Sequence, residues 1–169
     1  MAEPRRAAAL GAALAASVAP AHAAQEVPAP DRLEAAGCLI ATPHGFVMAV
    51  NRLINRLQLP AGKNEPGESA RQTAARETRE ETGLEVSVGE VLLSLDDGRV
   101  VFFSCKPVSP AVDYARLAPH DRVEVSRALV VDPDSLTTPD GEKIDTRWRF
   151  PHMRWLLRSL FGALAHGGT

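Results

Sequence analysis

The stretch Ser69 to Gly83, SARQTAARETREETG, constrains the fold most. Ser69 with Gln72 three residues on makes a capping box, and Gly83 suits a helix terminus, so the spacing predicts a helix over 69–82. Each helical residue turns by about 100°. Ala70, Ala74 and Thr78 therefore share one stripe, and side chains this small let a helix lie close against a sheet. Glu77, Glu80 and Glu81 fall within about 100° of arc beside that stripe. Carboxylates at such spacings repel one another. On the helix alone they read as an acidic, solvated face, eased by the Arg76–Glu80 pair and by Arg79 nearby.

The rest of the chain surrounds this helix with strand signals. Gly37–Ala41 and Phe46–Val50 flank the turn Thr42-Pro43-His44-Gly45. Leu84–Leu95 and Arg99–Cys105 flank Asp96-Asp97-Gly98, and Val123–Val131 stops at Asp132-Pro133-Asp134. Leu57 to Pro60 runs into a loop containing Gly62, Pro66 and Gly67. A second helix opens at Pro151, with Met153, Leu156, Leu157, Leu160, Phe161 and Leu164 as its core-facing stripe. Arg154 and Arg158 lie off that stripe and read as solvated. Interspersed strands, turns and helices predict an α/β (α+β) fold, a mixed sheet covered on both faces.

A length of 169 residues suits one domain. The net charge of −2 supplies no basic footprint, so general nucleic-acid binding has no electrostatic support. An anionic substrate must then be drawn by local cations or metal ions. Residues 1–24 have the layout of a secretory signal peptide: Arg5 and Arg6, an alanine-rich apolar run too short to span a bilayer, and Ala21-His22-Ala23 as a cleavage site. The expectation is an exported, periplasmic protein if that signal acts, and a cytoplasmic one otherwise. Residues 25–35 read as a linker and 36–165 as the domain. Cys38 and Cys105 are the only cysteines. They could pair in an oxidising compartment. Each sits in an apolar strand-like run, and the reading adopted is two buried thiols.

The loop before the helix changes the reading of the glutamates. Gly62 and Gly67 suggest a phosphate-cradling loop, but Glu68 stands where that motif needs lysine, and a carboxylate repels bare phosphate. Glu68, Glu77, Glu80 and Glu81 beside a glycine backbone make better sense around a hard divalent cation, which favours oxygen ligands.

Gly62, Glu68, Arg76, Glu77, Glu80, Glu81, Gly83 and Leu84 are spaced as in the signature of the Nudix hydrolase family, which this stretch resembles over 23 residues. Thr78 departs from it, standing where an aliphatic residue is usual, and Ala61 replaces a common glycine. The resemblance implies an α/β/α sandwich, a mixed β-sheet flanked by helices. It implies hydrolysis of a diphosphate bond in a nucleoside diphosphate joined to another moiety, with Mg²⁺ or Mn²⁺ as cofactor; the charge balance and the short apolar run add the expectation of no nucleic-acid partner and no membrane span. By motif position Glu80 and Glu81 are the main metal ligands. Glu77 is a ligand or the base that activates water. Glu68 is an outer ligand or a group holding the loop, and Arg76 orients the glutamates. The backbone carbonyl of Ala61 or Gly62 completes the shell.

Beyond the motif, Glu124 is a candidate base or further ligand, with an exposed charge at a strand start the equal alternative. Arg52 and Arg56 are candidates for substrate phosphate and are equally ordinary as solvated arginines. His44, His120 and His152 are isolated. Around Val100 to Phe102, where some subfamilies carry a proline (ADP-ribose) or a tyrosine (dinucleoside polyphosphates), this sequence has neither, and the array associated with NADH is missing. A catalytically silent nucleotide-binding or regulatory module is the second reading. Such modules usually lose motif carboxylates, and all are retained here.

Overall fold

Alternation along three strands decides the architecture. In the computed structural model, which describes residues 32–166 with side chains through Phe161, these strands are β1 (Ala35–Leu39), β3 (Gly45–Asn51) and β7 (Val100–Pro107). Ala36, Cys38, Val47, Val101, Phe103 and Cys105 enter one apolar core. Leu39, Phe46, Met48, Val50 and Phe102 enter a second. Successive strand residues point to opposite faces, so burial of both sets means that both sheet faces are covered.

The remaining elements are β2 (Ala41–Thr42), β4 (Arg56–Gln58), β5 (Ala61–Lys63), α1 (Ala70–Thr82), β6 (Val86–Leu95), β8 (Val125–Val131) and α2 (Pro151–His166). They form two four-stranded sheets. One is mixed, in the order β5-β1-β7-β6, with β1 parallel to β7 and the other pairs antiparallel. The other is antiparallel, with β3 pairing β2, β4 and β8. The chain crosses between them at Ile40, whose carbonyl accepts from the Val47 N–H at 3.0 Å. The fold class is the mixed α/β arrangement expected, with its strands divided between two sheets.

Helix α1 is built as its sequence demands. The reciprocal capping bonds between Ser69 and Gln72 are both made, and Gly83 ends the helix at φ 77°. Ala70, Ala74 and Thr78 are buried against the first core. Thr78, at the position where the motif has an aliphatic residue, is accommodated because its hydroxyl donates to the Ala74 carbonyl at 2.7 Å. Helix α2 covers the second core with Met153 and Leu157, supported by Leu156, Leu160 and Phe161. The Phe161 ring stands edge-on to Phe46 at 5.6 Å between centroids. Leu164 of the expected stripe lies outside the described side chains. Among the described residues no helix is long and apolar enough to cross a membrane.

Three expectations need correction. Cys38 and Cys105 form a disulfide, with Cα atoms 5.5 Å apart, rather than two thiols. The parallel pairing of β1 with β7 sets Cys38 opposite Phe103, so Cys105 lies diagonal to it on the same face. The loop after Pro60 contains a short strand, β5, which returns to pair with β1. Arg154 and Arg158 are not simply solvated. Arg154 donates to the Pro133 and Asp134 carbonyls, and Arg158 pairs with the Asp134 carboxylate. Strand β1 opens at Ala35, one residue before the expected domain start. The expected signal peptide over 1–24 and the linker up to residue 31 lie outside the described residues.

Candidate active site

The site is assembled by three neighbours of α1. Strand β5 runs beside the helix, β4 precedes it, and the segment following residue 117 folds over the helix C-terminus. Both His120 and Asp121 donate their N–H groups to the Glu80 carbonyl, at 2.8 and 2.9 Å. This turn carries Glu124, whose own N–H is held by the Asp121 carboxylate at 3.1 Å.

Arg76 is the hub. Its guanidinium donates to Glu68 at 2.8 and 3.0 Å, to Glu77 at 2.7 Å, to Glu80 at 3.1 Å and to the Lys63 carbonyl at 2.9 Å. Charge-assisted forks of this kind fix several carboxylates at once. Glu68 also accepts from the Thr73 hydroxyl at 2.9 Å. These donors, Arg76 foremost, hold its carboxyl down at about 2 despite some burial. The same pairing, led by Glu68, raises Arg76.

Glu81 has a different partner set. It is 3% exposed. One carboxylate oxygen accepts from Gln58 Nε2 at 2.8 Å and the other from the Ala61 N–H at 2.9 Å. Burial pushes its carboxyl up to about 8, with further pressure from Glu77 and Glu124 and partial relief from the two donors. Glu77 is also raised, chiefly by burial and then by Glu80 and Glu124, against the pull of Arg76. A Cβ at position 62 would overlap the Glu77 carboxylate, so glycine there leaves that carboxylate in place.

The motif carboxylates therefore converge on one region, and Glu124, though exposed, is close enough to repel Glu77 and Glu81. Arg52 contributes its backbone, donating to the Glu124 carbonyl at 2.7 Å, while its side chain is exposed. Arg56 lies apart, in the wall of a separate cavity. Gln58 and the Ala61 N–H, which hold Glu81, escaped sequence reasoning. Their only signal is a polar residue inside the apolar alternation of Leu57, Gln58 and Leu59.

A hard divalent cation fits the donor chemistry. Every side-chain donor is a carboxylate, and their mutual repulsion and desolvation are what a cation relieves. The side-chain arrangement is held by Arg76 instead. Among the described residues no group of three acidic, histidine or cysteine side chains stands in ligating array. Glu68, Glu77 and Glu80 are drawn to the guanidinium, and Glu81 is turned to Gln58.

The sequence profile of the NUDIX domain matches residues 31–156. No curated protein matches the chain. Several solved structures share its fold. An ADP-ribose pyrophosphatase from Streptococcus suis superposes with a TM-score of 0.55 at 18% identity, over 75% of this chain and 89% of that one. A Nudix hydrolase from Nitrosomonas europaea gives 0.52 at 20% identity, over 80% and 90%. A C. elegans Ap4A hydrolase gives 0.53 at 22% identity, over 78% and 98%. With the profile spanning most of the sequence and the motif carboxylates gathered on α1, the chain belongs to the Nudix hydrolase family.

Proposed function

We propose that this protein is a divalent-metal-dependent pyrophosphohydrolase, cleaving the diphosphate bond of a nucleoside diphosphate joined to a second group. The observation that carries the reading is the gathering of Glu68, Glu77 and Glu80 about Arg76, with Glu81 buried behind them. Glu77, Glu80 and Glu81 would hold Mg²⁺ or Mn²⁺, with Glu68 outside them and a backbone carbonyl at Ala61 or Gly62 beside them. The ion supplies neutralisation of phosphate charge and a bound water of lowered pKa.

The chain's own residues do the positioning. Gln58 and the Ala61 N–H fix both oxygens of Glu81. Arg76 restrains Glu68 and Glu77 and balances their charge. Glu77, raised by burial, or Glu124, at the open rim, accepts the proton of the attacking water. The absence of a side chain at Gly62 leaves the backbone in contact with Glu77.

Export remains part of the proposal. The Cys38–Cys105 bridge is of the kind that persists in oxidising compartments. N-terminal sequencing of the mature protein should start near Ala24, and a retained Met1 or Ala2 would reject export.

Activity is tested by release of phosphate products from a panel of nucleoside diphosphate derivatives with Mg²⁺, native protein against Glu81→Gln. Turnover by the native protein alone supports the reading. A folded native protein that turns over none of the panel would be a binding module instead.

A further inference from the structure

A cavity of about 620 Å³ lies between β4 and the start of α2, apart from the carboxylate cluster. Its volume is in the range that suits a small ligand. Arg56, Arg147, Arg149 and Arg154 line it, against the single carboxylate of Asp145. Among the described residues none of these four arginines makes an ion pair, as is also true of Arg32, Arg52, Arg71, Arg79 and Arg122, and Arg147 and Arg149 are exposed. Arg154 is fixed by the two carbonyls of the 133–134 turn. Trp148 is also in the wall. Its indole N–H is buried and has no acceptor among the described residues.

The cavity is joined to the carboxylate cluster through one side chain. Arg149 Nη1 donates to Gln58 Oε1 at 2.8 Å, and Gln58 Nε2 donates to Glu81 at 2.8 Å. A guanidinium of the cavity wall thus stands a single amide away from a motif glutamate.

We propose that this cavity receives a phosphate group of the substrate lying beyond the diphosphate that is cleaved. The inference rests on the hydrolase reading above. Guanidinium forks match phosphate oxygens in pairs, and a neutral sugar would leave the cluster of cations without a counter-charge. The substrate class is therefore a nucleoside diphosphate joined to a phosphorylated group, not to an uncharged sugar.

The test has two arms. Trp155→Phe leaves Trp148 as the sole tryptophan, and its fluorescence reports pyrophosphate titrated without any divalent cation. A saturable change is expected, weakened about tenfold or more in Arg56→Gln/Arg147→Gln, a loss of roughly one decade in affinity. Circular dichroism checks that the variants fold, with the single Arg147→Gln protein as the milder alternative. No saturable change, or one indifferent to the arginines, overturns the cavity as an anion site. In the second arm, kcat/KM with Mg²⁺ is compared for a nucleoside diphosphate sugar with and without a phosphate ester on that sugar. Preference for the phosphorylated compound, collapsing toward parity in the arginine variant, is expected. Parity in the native protein, even with pyrophosphate bound, overturns the substrate assignment. Fluorescence binding without turnover of either compound breaks the hydrolase reading and the substrate assignment with it, and leaves only the anion cavity.

Discussion

The two helices cover the same scaffold in opposite ways. Helix α2 presents Met153 and Leu157 and closes its core with large apolar side chains. Helix α1 buries Ala70, Thr73, Ala74, Thr78, Glu81 and Thr82, a set with little apolar area and one carboxylate. Burying a carboxylate is expensive unless it is hydrogen-bonded or neutralised. The α1 side therefore relies on other supports: the capping box, hydroxyl bonds back along the helix, the Arg76 hub and a disulfide in the core beneath. One helix contributes stability, and the other spends stability to hold charges in place.

That contrast is most sharply broken at Glu81. Glu81→Gln should lower kcat by about a thousandfold and cost about 1–3 kcal/mol of stability, because glutamine offers one acceptor oxygen to the two donors, Gln58 Nε2 and the Ala61 N–H, that hold Glu81. Steady-state kinetics beside thermal melts check it. Leu157→Ala should spare catalysis. It should cost about 2–5 kcal/mol of stability through the cavity left behind, measurable by denaturant unfolding, with kcat within about twofold of native at a temperature where the protein is folded. Opening the bridge, by Cys38→Ala/Cys105→Ala, should cost about 2–4 kcal/mol. Calorimetry should then show a native melting temperature that falls under reductant and a variant indifferent to it.

Much of α1 was legible in the sequence because caps, small-residue stripes and carboxylate spacing are local. Ser69, Gln72 and Gly83 announce the helix ends within a few residues of where they act. The disulfide was not legible. It depends on the parallel neighbouring of β1 and β7, brought together across 67 residues. The hold on Glu81 was hidden for the same reason, since Gln58 lies 23 positions away on another element. The arginine cavity was missed because 132–150 carries few periodic signals. Arg56 was singled out only as one of two arginines near the loop. Motif position had Arg76 orienting the glutamates, while its bond to the Lys63 carbonyl had no signal in the sequence.

Two smaller effects sharpen the comparison further. Gly62→Ala, which forces the Glu77 carboxylate to move, should reduce kcat/KM about 10–100-fold with little change in overall fold, as seen by kinetics and circular dichroism. The pH dependence of stability in metal-free protein should carry opposite signs from two glutamates. Folded Glu81 keeps its proton up to about 8 while the unfolded chain releases it near 4.5, so stability falls as pH rises across that window. Folded Glu68 stays ionised down to about 2, so its contribution is present above 4.5 and is lost as pH falls toward 2. Denaturant unfolding from pH 5 to 8 should show a downward slope that Glu81→Gln flattens.

The central claim is that the α1 carboxylates gather a divalent cation. Calorimetric titration of Mg²⁺ into native protein, Glu77→Gln and Glu81→Gln tests it directly. Saturable binding to the native chain, weakened by at least about tenfold in each folded variant, is the expected result. Binding equal in all three proteins, or none to the native chain, would contradict it.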